Sequence, residues 1–161
     1  MTAEPLTHPT LTAIGLFLEA HAGLTRDFEK QLERESGISH QWFEVLLRLA
    51  RSPGERLRMS DLAAQTTLTP SGLTRAVDRL VDAGLVERQA CPTDRRSLYA
   101  ALTPAGREQV VSAVPVHLEH IQAVLDGILS PAEQATFATL MRKLRDGLNP
   151  CAGQAGVGPS C

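Results

Sequence analysis

Between residues 60 and 103 the spacing of apolar residues changes from helical to alternating, and this switch constrains the fold more than any other feature of the 161 residues. Ser60 reads as the cap of a short helix over about 61–66, with Leu62 and Ala63 turned inward. "TLTPSG" (67–72) follows. Thr69 is placed to cap a second helix and Pro70 to open it, where a missing N–H costs nothing. Leu68 and Leu73 have the spacing of a hydrophobic staple, and Gly84 is a natural left-handed stop. Two strand-like stretches, Leu85 to Cys91 and Ser97 to Leu102, then flank Pro92-Thr93-Asp94-Arg95-Arg96. In the second stretch Leu98, Ala100 and Leu102 alternate with Ser97, Tyr99 and Ala101, so one face is expected on the body of the domain and the tip is expected to project. Two short helices joined by a tight turn and followed by a hairpin make a winged helix-turn-helix.

Longer helices are expected on either side. Leu11, Ile14, Leu18, Thr25, Phe28 and Leu32 form one stripe from Thr10 onward, with His21 in register, and "SGIS" (36–39) breaks it. Ser39 caps a helix over roughly 40–51 whose inner face is Trp42, Val45, Leu46 and Leu49. "SPGER" (52–56) is a turn, and 57–59 can form a short strand. Thr103-Pro104 opens a helix carrying Val111, Val114, Leu118, Ile121, Leu125 and Ile128, with a kink or break expected at Pro115. "SPAE" (130–133) is a capping box, and Phe137, Leu140, Met141 and Leu144 are the expected buried face of a last helix ending near Leu148. Aromatic residues are only 4% of the chain, so the core is built from Leu, Val and Ala. The expected class is mainly α with a small β-hairpin wing. Residues 1–9 form a flexible arm, 10–148 a single domain and 149–161, rich in Gly and Pro, a disordered tail. Within the domain, 39–103 make the winged-helix lobe, between terminal helical segments 10–38 and 104–148.

On a helical wheel of residues 71–82, Leu73, Ala76, Val77 and Leu80 fall on one side. Ser71, Thr74, Arg75, Asp78 and Asp82 gather opposite, with Arg79 on the flank. Hydroxyls and a guanidinium near the N-terminal end suit major-groove reading, with Arg75 able to bond a guanine edge twice. Ser71 and Thr74 can bond phosphate or bases beside the free N–H groups of the helix start. The plainer alternative is a solvated polar face. Asp78 and Asp82 oppose DNA, though Arg75 and Arg79 have the spacing to neutralise them. At the hairpin tip, Arg95 and Arg96 suit the negative potential of a narrow minor groove, and Asp94 can orient an arginine or cap the turn. An ordinary charged turn protecting a sheet edge is the alternative there. The formal charge is −2, yet residues 48–58 hold four arginines against Glu55 and residues 71–107 six arginines against four acids. A basic face on a near-neutral chain fits double-stranded DNA.

The run from Asp94-Arg95-Arg96 to Leu102-Thr103 resembles the wing signature D-x-R-x-x-x-V-x-L-T of the multiple-antibiotic-resistance regulator (MarR) family. "MSDLAAQTTLTPSGLTRAVDRLVDAGLVER" (59–88) resembles its helix-turn-helix. Ala100 stands where that signature has Val. The resemblance implies a homodimer built from the first helix and the last two, binding a pseudo-palindromic operator, usually as a repressor released by a small aromatic, anionic effector. It matches Ser71, Thr74, Arg75 and Arg79 to recognition-helix positions and Arg96 to the wing arginine. It also places an effector cleft between the dimer helices and the DNA-binding lobe. His21 and Trp42 are candidate lining residues there, against the alternative of an interface histidine and a core tryptophan. Apolar stripes at both ends of the chain agree independently, because they need a partner to cover them.

Other chemistries have little support. Cys91, Cys151 and Cys161 are odd in number and scattered, which argues against a disulfide framework. Cys91, beside cationic residues, leaves open a redox-sensing regulator. His117 and His120, with Glu119 nearby, have spacing for a metal, but surface histidines are the commoner reason for such a pair. No phosphate loop or nucleophile constellation points to an enzyme, and no cofactor is implied. No stretch approaches the roughly 20 apolar residues that span a bilayer, and no leader pattern is present, so a cytoplasmic protein is expected. A winged-helix module that binds protein instead of DNA is the remaining alternative.

Overall fold

The computed structural model describes residues 6–90 and 98–148. The order is α1 (Pro9–Ser36), α2 (His40–Ala50), a single 3-10 turn (Pro53–Glu55), β1 (Arg56–Arg58), α3 (Met59–Gln65), α4 (Pro70–Asp82), β2 (Val86–Ala90), β3 (Leu98–Leu102), α5 (Pro104–Asp126) and α6 (Pro131–Leu148). The three strands form one antiparallel sheet in the order β1-β3-β2. Residues 1–5, the hairpin tip with Cys91, Asp94, Arg95 and Arg96, and the tail with Cys151 and Cys161 lie outside the described residues.

Local chemistry fixes the element boundaries. Ser39 Oγ accepts from Trp42 N at 3.2 Å, and Glu29 on α1 caps α2 a second time by accepting from His40 N at 2.7 Å. Ser130 and Glu133 complete the expected capping box, the carboxylate accepting from the Ser130 N–H and hydroxyl at 2.8 and 2.7 Å. Those bonds hold the Glu133 carboxyl below its ordinary value. Ser60 departs from its expected role. Arg58 is the N-cap residue of α3, and Ser60 lies inside the helix with its hydroxyl turned to Asp61.

The core gathers Leu32 of α1, Val45, Leu46 and Leu49 of α2, Leu62 of α3, Leu73, Val77 and Leu80 of α4, Val86, Ala100 and Leu102 of the sheet, and Val110 and Ala113 of α5. Phe43 joins them, though the expected inner face of α2 had Trp42, which is only half-buried against the core. The strand alternation expected over 97–102 does not hold either. Tyr99, Ala100, Ala101 and Leu102 are all buried, because β3 is the central strand and Tyr99 is covered from its outer side by Arg56 and Arg58.

Thr103 joins the sheet to α5. Its hydroxyl donates to Gly84 O at 2.8 Å and accepts from Gly106 N at 3.0 Å, while its N–H donates to Leu85 O. Gly84, at φ 72°, supplies the left-handed turn that brings the chain out of α4. α5 runs unbroken through Pro115. Its face toward this chain is Gly106, Val110, Ala113 and His117, with Val114 of the expected stripe packed against the core; Ile121 and Leu125 are half-buried, and the rest of the stripe is open. Val111, Leu118 and Ile128 are 59%, 50% and 71% exposed. The α6 face expected to be buried is also open, with Phe137, Leu140 and Leu144 exposed and no residue of α6 buried. Leu11, Ile14, Phe17 and Leu18 of α1 are exposed as well. A single copy of the chain therefore leaves apolar surface uncovered on all three long helices.

Candidate nucleic-acid interface

The turn between α3 and α4 is held from below. Glu44 on α2 accepts from both Thr67 N and Thr67 Oγ1, each at 2.8 Å. Two bonds to one carboxylate fix the backbone just before the second helix, and both are of the stronger, charge-assisted kind. Thr69 Oγ1 then accepts from Gly72 N at 3.1 Å with Pro70 in the first turn, as its sequence requires. Leu68 packs against the core beside the fully buried Leu73.

α4 is divided as its wheel predicts. Leu73, Ala76, Val77 and Leu80 are buried, and Ser71, Thr74, Arg75 and Arg79 are exposed. Thr74 Oγ1 donates back to Pro70 O at 3.0 Å, leaving its lone pairs outward, and Ser71 Oγ lies 3.4 Å from Thr69 Oγ1. Neither Arg75 nor Arg79 has an ion-pair partner among the described residues. The expected pairing of these arginines with Asp78 is replaced by a longer-range one. Asp78 Oδ1 lies 2.6 Å from Arg88 Nη1 on β2. That ion pair neutralises an acid on the exposed helix and ties the hairpin to α4. Sequence spacing looks only along the helix and misses a partner ten residues away on a strand.

The sheet has two different faces. Leu57, Ala100, Val86 and Leu102 turn to the core. On the outer face Arg58 is directly opposite Tyr99, and Gln89 is opposite Tyr99 on the other side. The Arg56 and Arg58 guanidinium carbons lie 5.3 and 5.9 Å from the Tyr99 ring centre, and Arg58 Nε donates to Tyr99 Oη at 3.3 Å. Glu55 is paired with Arg107 at the start of α5.

The remaining predicted residues are spread apart. His21 is exposed on α1 with its ring 6.5 Å from Phe17, and Trp42 packs on the core of the lobe. No hydrogen bond or ring contact joins the two. His117 is the clearest correction, because it is 4% exposed rather than a surface histidine. Its Nδ1 lies 2.7 Å from Gln31 Oε1, and its ring meets Phe28 and Phe43 edge-on at 5.0 and 4.7 Å. Burial above all, then His40 and His120, lowers its pKa to about 4. His120 is committed elsewhere, to Asp27 at 2.6 Å. The two histidines do not converge on one point, and no group of three His, Cys, Asp or Glu among the described residues is disposed to hold a metal. Gln31 Nε2 and His40 Nδ1 are buried without a partner in the same region, where α1, α2 and α5 meet. Only the polar residue at a helix–helix junction could have signalled this cluster in the sequence.

A capped, half-buried helix on a pinned turn, with a three-stranded hairpin sheet clamped to its flank, defines the winged helix-turn-helix class of proteins. Residues 36–97 match the model of the MarR family. The chain is similar to Sco3205 of Streptomyces coelicolor, a MarR family transcriptional regulator solved in complex with DNA. The identity is 34%, over 87% of this chain and 88% of that one, with a TM-score of 0.77. It is 33% identical to the HTH-type transcriptional repressor Rv2887 of Mycobacterium tuberculosis, over 67% of this chain and 76% of the relative. It also resembles BpsR of Bordetella bronchiseptica, whose DNA binding is regulated by 6-hydroxynicotinic acid. There the identity is 26%, over 83% of this chain and 99% of that one, with a TM-score of 0.72. The chain belongs to the MarR family.

Proposed function

We propose that the chain is a homodimeric repressor that binds a pseudo-palindromic operator and is released by a small aromatic anion. The observation that carries the DNA reading is α4 itself. Ser71, Thr74, Arg75 and Arg79 are exposed, and both arginines are without an ion-pair partner among the described residues. In this reading they meet the major groove, while Arg95 and Arg96, supported by Asp94, enter the minor groove. Two copies related by a two-fold axis cover the apolar faces of α1, α5 and α6 and present two reading helices to successive turns of the duplex. Likeness to a regulator solved on DNA and to a repressor supports the same conclusion. No helix among the described residues is long and apolar enough to cross a membrane, and a chromosomal partner puts the protein in the cytoplasm.

The effector reading is supported by the control of BpsR by an aromatic acid and by the polar cluster between α1, α2 and α5. Gln31 Nε2 is a buried donor without a partner, beside the rings of Phe28, Phe43 and His117. A planar ligand with a carboxylate or phenol oxygen satisfies both features. His21 and Trp42 remain candidate outer walls of the cleft. A gel-shift assay against the DNA flanking its own gene, repeated with a panel of phenolic and pyridine carboxylic acids, tests both parts. The expected result is a retarded band lost with one class of acid. No retarded band at low ionic strength refutes the DNA reading, and a band indifferent to every acid refutes the effector reading.

A further inference from the structure

The reading helix α4 is anchored ahead of its own first residue by a side chain outside both helices of the motif. Glu44 of α2 precedes Thr67 by 23 residues, and its two carboxylate oxygens take both donors of Thr67, Oε1 the N–H and Oε2 the hydroxyl, each at 2.8 Å. A two-point contact fixes the direction of a group as well as its place. A nearer partner was on hand. Arg48 lies one turn further along α2, in the order that favours a Glu–Arg pair on a helix, yet no ion pair joins them among the described residues. The neighbouring threonines bond locally. Thr66 Oγ1 donates to Leu62 O at 3.0 Å and closes α3, and Thr69 Oγ1 caps α4. Thr67 alone of these threonines is hydrogen-bonded to a third helix.

The place of that anchor matters because the front of α4 is weakly held by the core. Its first buried side chain is Leu73, while Pro70 and Ser71 are exposed. Leu68 packs on the core just ahead, but an apolar contact is non-directional. Arg75 lies five residues beyond Pro70, about 7.5 Å along the axis, so a tilt of about 10° at the helix start displaces it by roughly 1.3 Å. Good N–H···O bonds span only about 0.5 Å of heavy-atom distance. Charge gives the opposite expectation. A carboxylate beneath a turn that faces DNA repels phosphate, so on charge alone Glu44 is a cost to binding. Positioning and charge therefore differ in the sign of what its removal does.

We propose that Glu44 determines sequence specificity without touching DNA, as a positioning residue that sets the entry angle of α4 through Thr67. This rests on the DNA-binding reading above. Base-edge bonds from Ser71 and Arg75 demand that angle, whereas contacts to the phosphate backbone tolerate a small tilt and carry no sequence information. Loss of the anchor therefore removes discrimination between sequences and leaves general affinity for duplex DNA in place. Its effect on folding is small, because the contact is exposed and binds two groups that water can serve instead.

The test uses the full chain and two duplexes of equal length, one recovered by this protein from a random-sequence pool and one with the recovered core scrambled. Affinity for each is measured for the wild type, Glu44→Ala, Glu44→Gln and Thr67→Val, with urea unfolding alongside. Glu44→Ala is expected to lower the ratio of the two affinities about tenfold, by weakening the recovered duplex alone. Glu44→Gln is uncharged but keeps an acceptor for Thr67 N, so it retains most of the ratio. Thr67→Val loses only the hydroxyl donor and falls between the two. An unchanged ratio for Glu44→Ala overturns the proposal. So does an equal loss on both duplexes that follows a lowered unfolding midpoint, which makes Glu44 a stability contact only. A Glu44→Gln as indiscriminate as Glu44→Ala also overturns it, since the charge and not the position then matters. If the wild type binds no duplex, or binds both alike, the DNA-reading account falls and this inference with it. If the wild type discriminates and only the variants fail to differ from it, the reading stands and this inference alone is wrong.

Discussion

Arg88 Nη1 on β2 sits 2.6 Å from Asp78 Oδ1 on α4, so one ion pair connects the two elements that the proposed function sets against DNA. Both groups are partly exposed, and such pairs add little to stability, about 0–1 kcal/mol. Their larger effect is on charge. Arg88→Ala leaves a bare carboxylate on the exposed helix and frees the hairpin from it. We expect DNA affinity to fall by about tenfold, near 1.4 kcal/mol, with unfolding almost unchanged. Adding Asp78→Asn should restore most of the loss. A double variant as weak as Arg88→Ala would assign the loss to something other than the exposed acid.

Arg75→Ala is expected to weaken binding by about 1–3 kcal/mol and to relax preference at one base pair of the half-site. Selection from a random-sequence pool reads both effects, and an unchanged preferred sequence would remove Arg75 from base reading. Arg96→Ala should weaken binding without altering the melting temperature. Superimposable titrations of that variant and the wild type would make the wing arginine dispensable.

Gly106→Ala tests the seam between the lobe and α5. A Cβ at this buried position would overlap the Leu85 carbonyl and crowd Leu102. The clash is with backbone that Thr103 holds in place through its bonds to Gly84 O and Leu85 O. Relief requires moving α5 off the sheet, at an expected cost of about 1–3 kcal/mol in urea unfolding. Gly147→Ala, with open space around its Cβ position, should cost nothing comparable. Equal effects at both positions would contradict the close approach.

Much of the reading helix is legible in the sequence because its determinants are local. Thr69, Pro70, Leu68, Leu73 and Gly84 all act within a turn of their own position, and each is found in its expected role. What escaped depends on distant pairing. β1 gains its place from Arg58 and Tyr99, 41 residues apart, so the cover over Tyr99 and the burial of both faces of β3 have no trace in strand alternation. α5 carries apolar residues on two faces. Periodicity found Val111 and Leu118 but cannot tell surface that this chain buries from surface left for another copy, so the buried side with Val110, Ala113 and His117 went unseen. Ser60 fits a capping pattern, yet β1 delivers the chain directly into α3 and the cap falls on Arg58.

His117 makes stability depend on pH with a definite sign. Its pKa is lowered from 6.5 to about 4 in the folded chain, so as pH falls below 6.5 the unfolded chain takes up a proton that the folded chain refuses. Above about pH 7.5 both forms are neutral and the group contributes almost nothing to the pH dependence. At pH 5 the penalty is about 2 kcal/mol, approaching about 3 kcal/mol near pH 4. Urea unfolding at fixed protein concentration should show this fall between pH 7.5 and 5, and His117→Gln should flatten it. The same pH dependence in the variant would place the titrating group elsewhere.

The central claim is that two copies of this chain grip one duplex through α4 and the wing. Sedimentation of the purified protein, alone and with a duplex of its own flanking DNA at 50 mM salt, tests it most directly. The account predicts a dimer of the 17.4 kDa chain that co-sediments as two protomers per site and releases the duplex as salt rises. A monomer, or a dimer that leaves every duplex unbound at that salt, would contradict it.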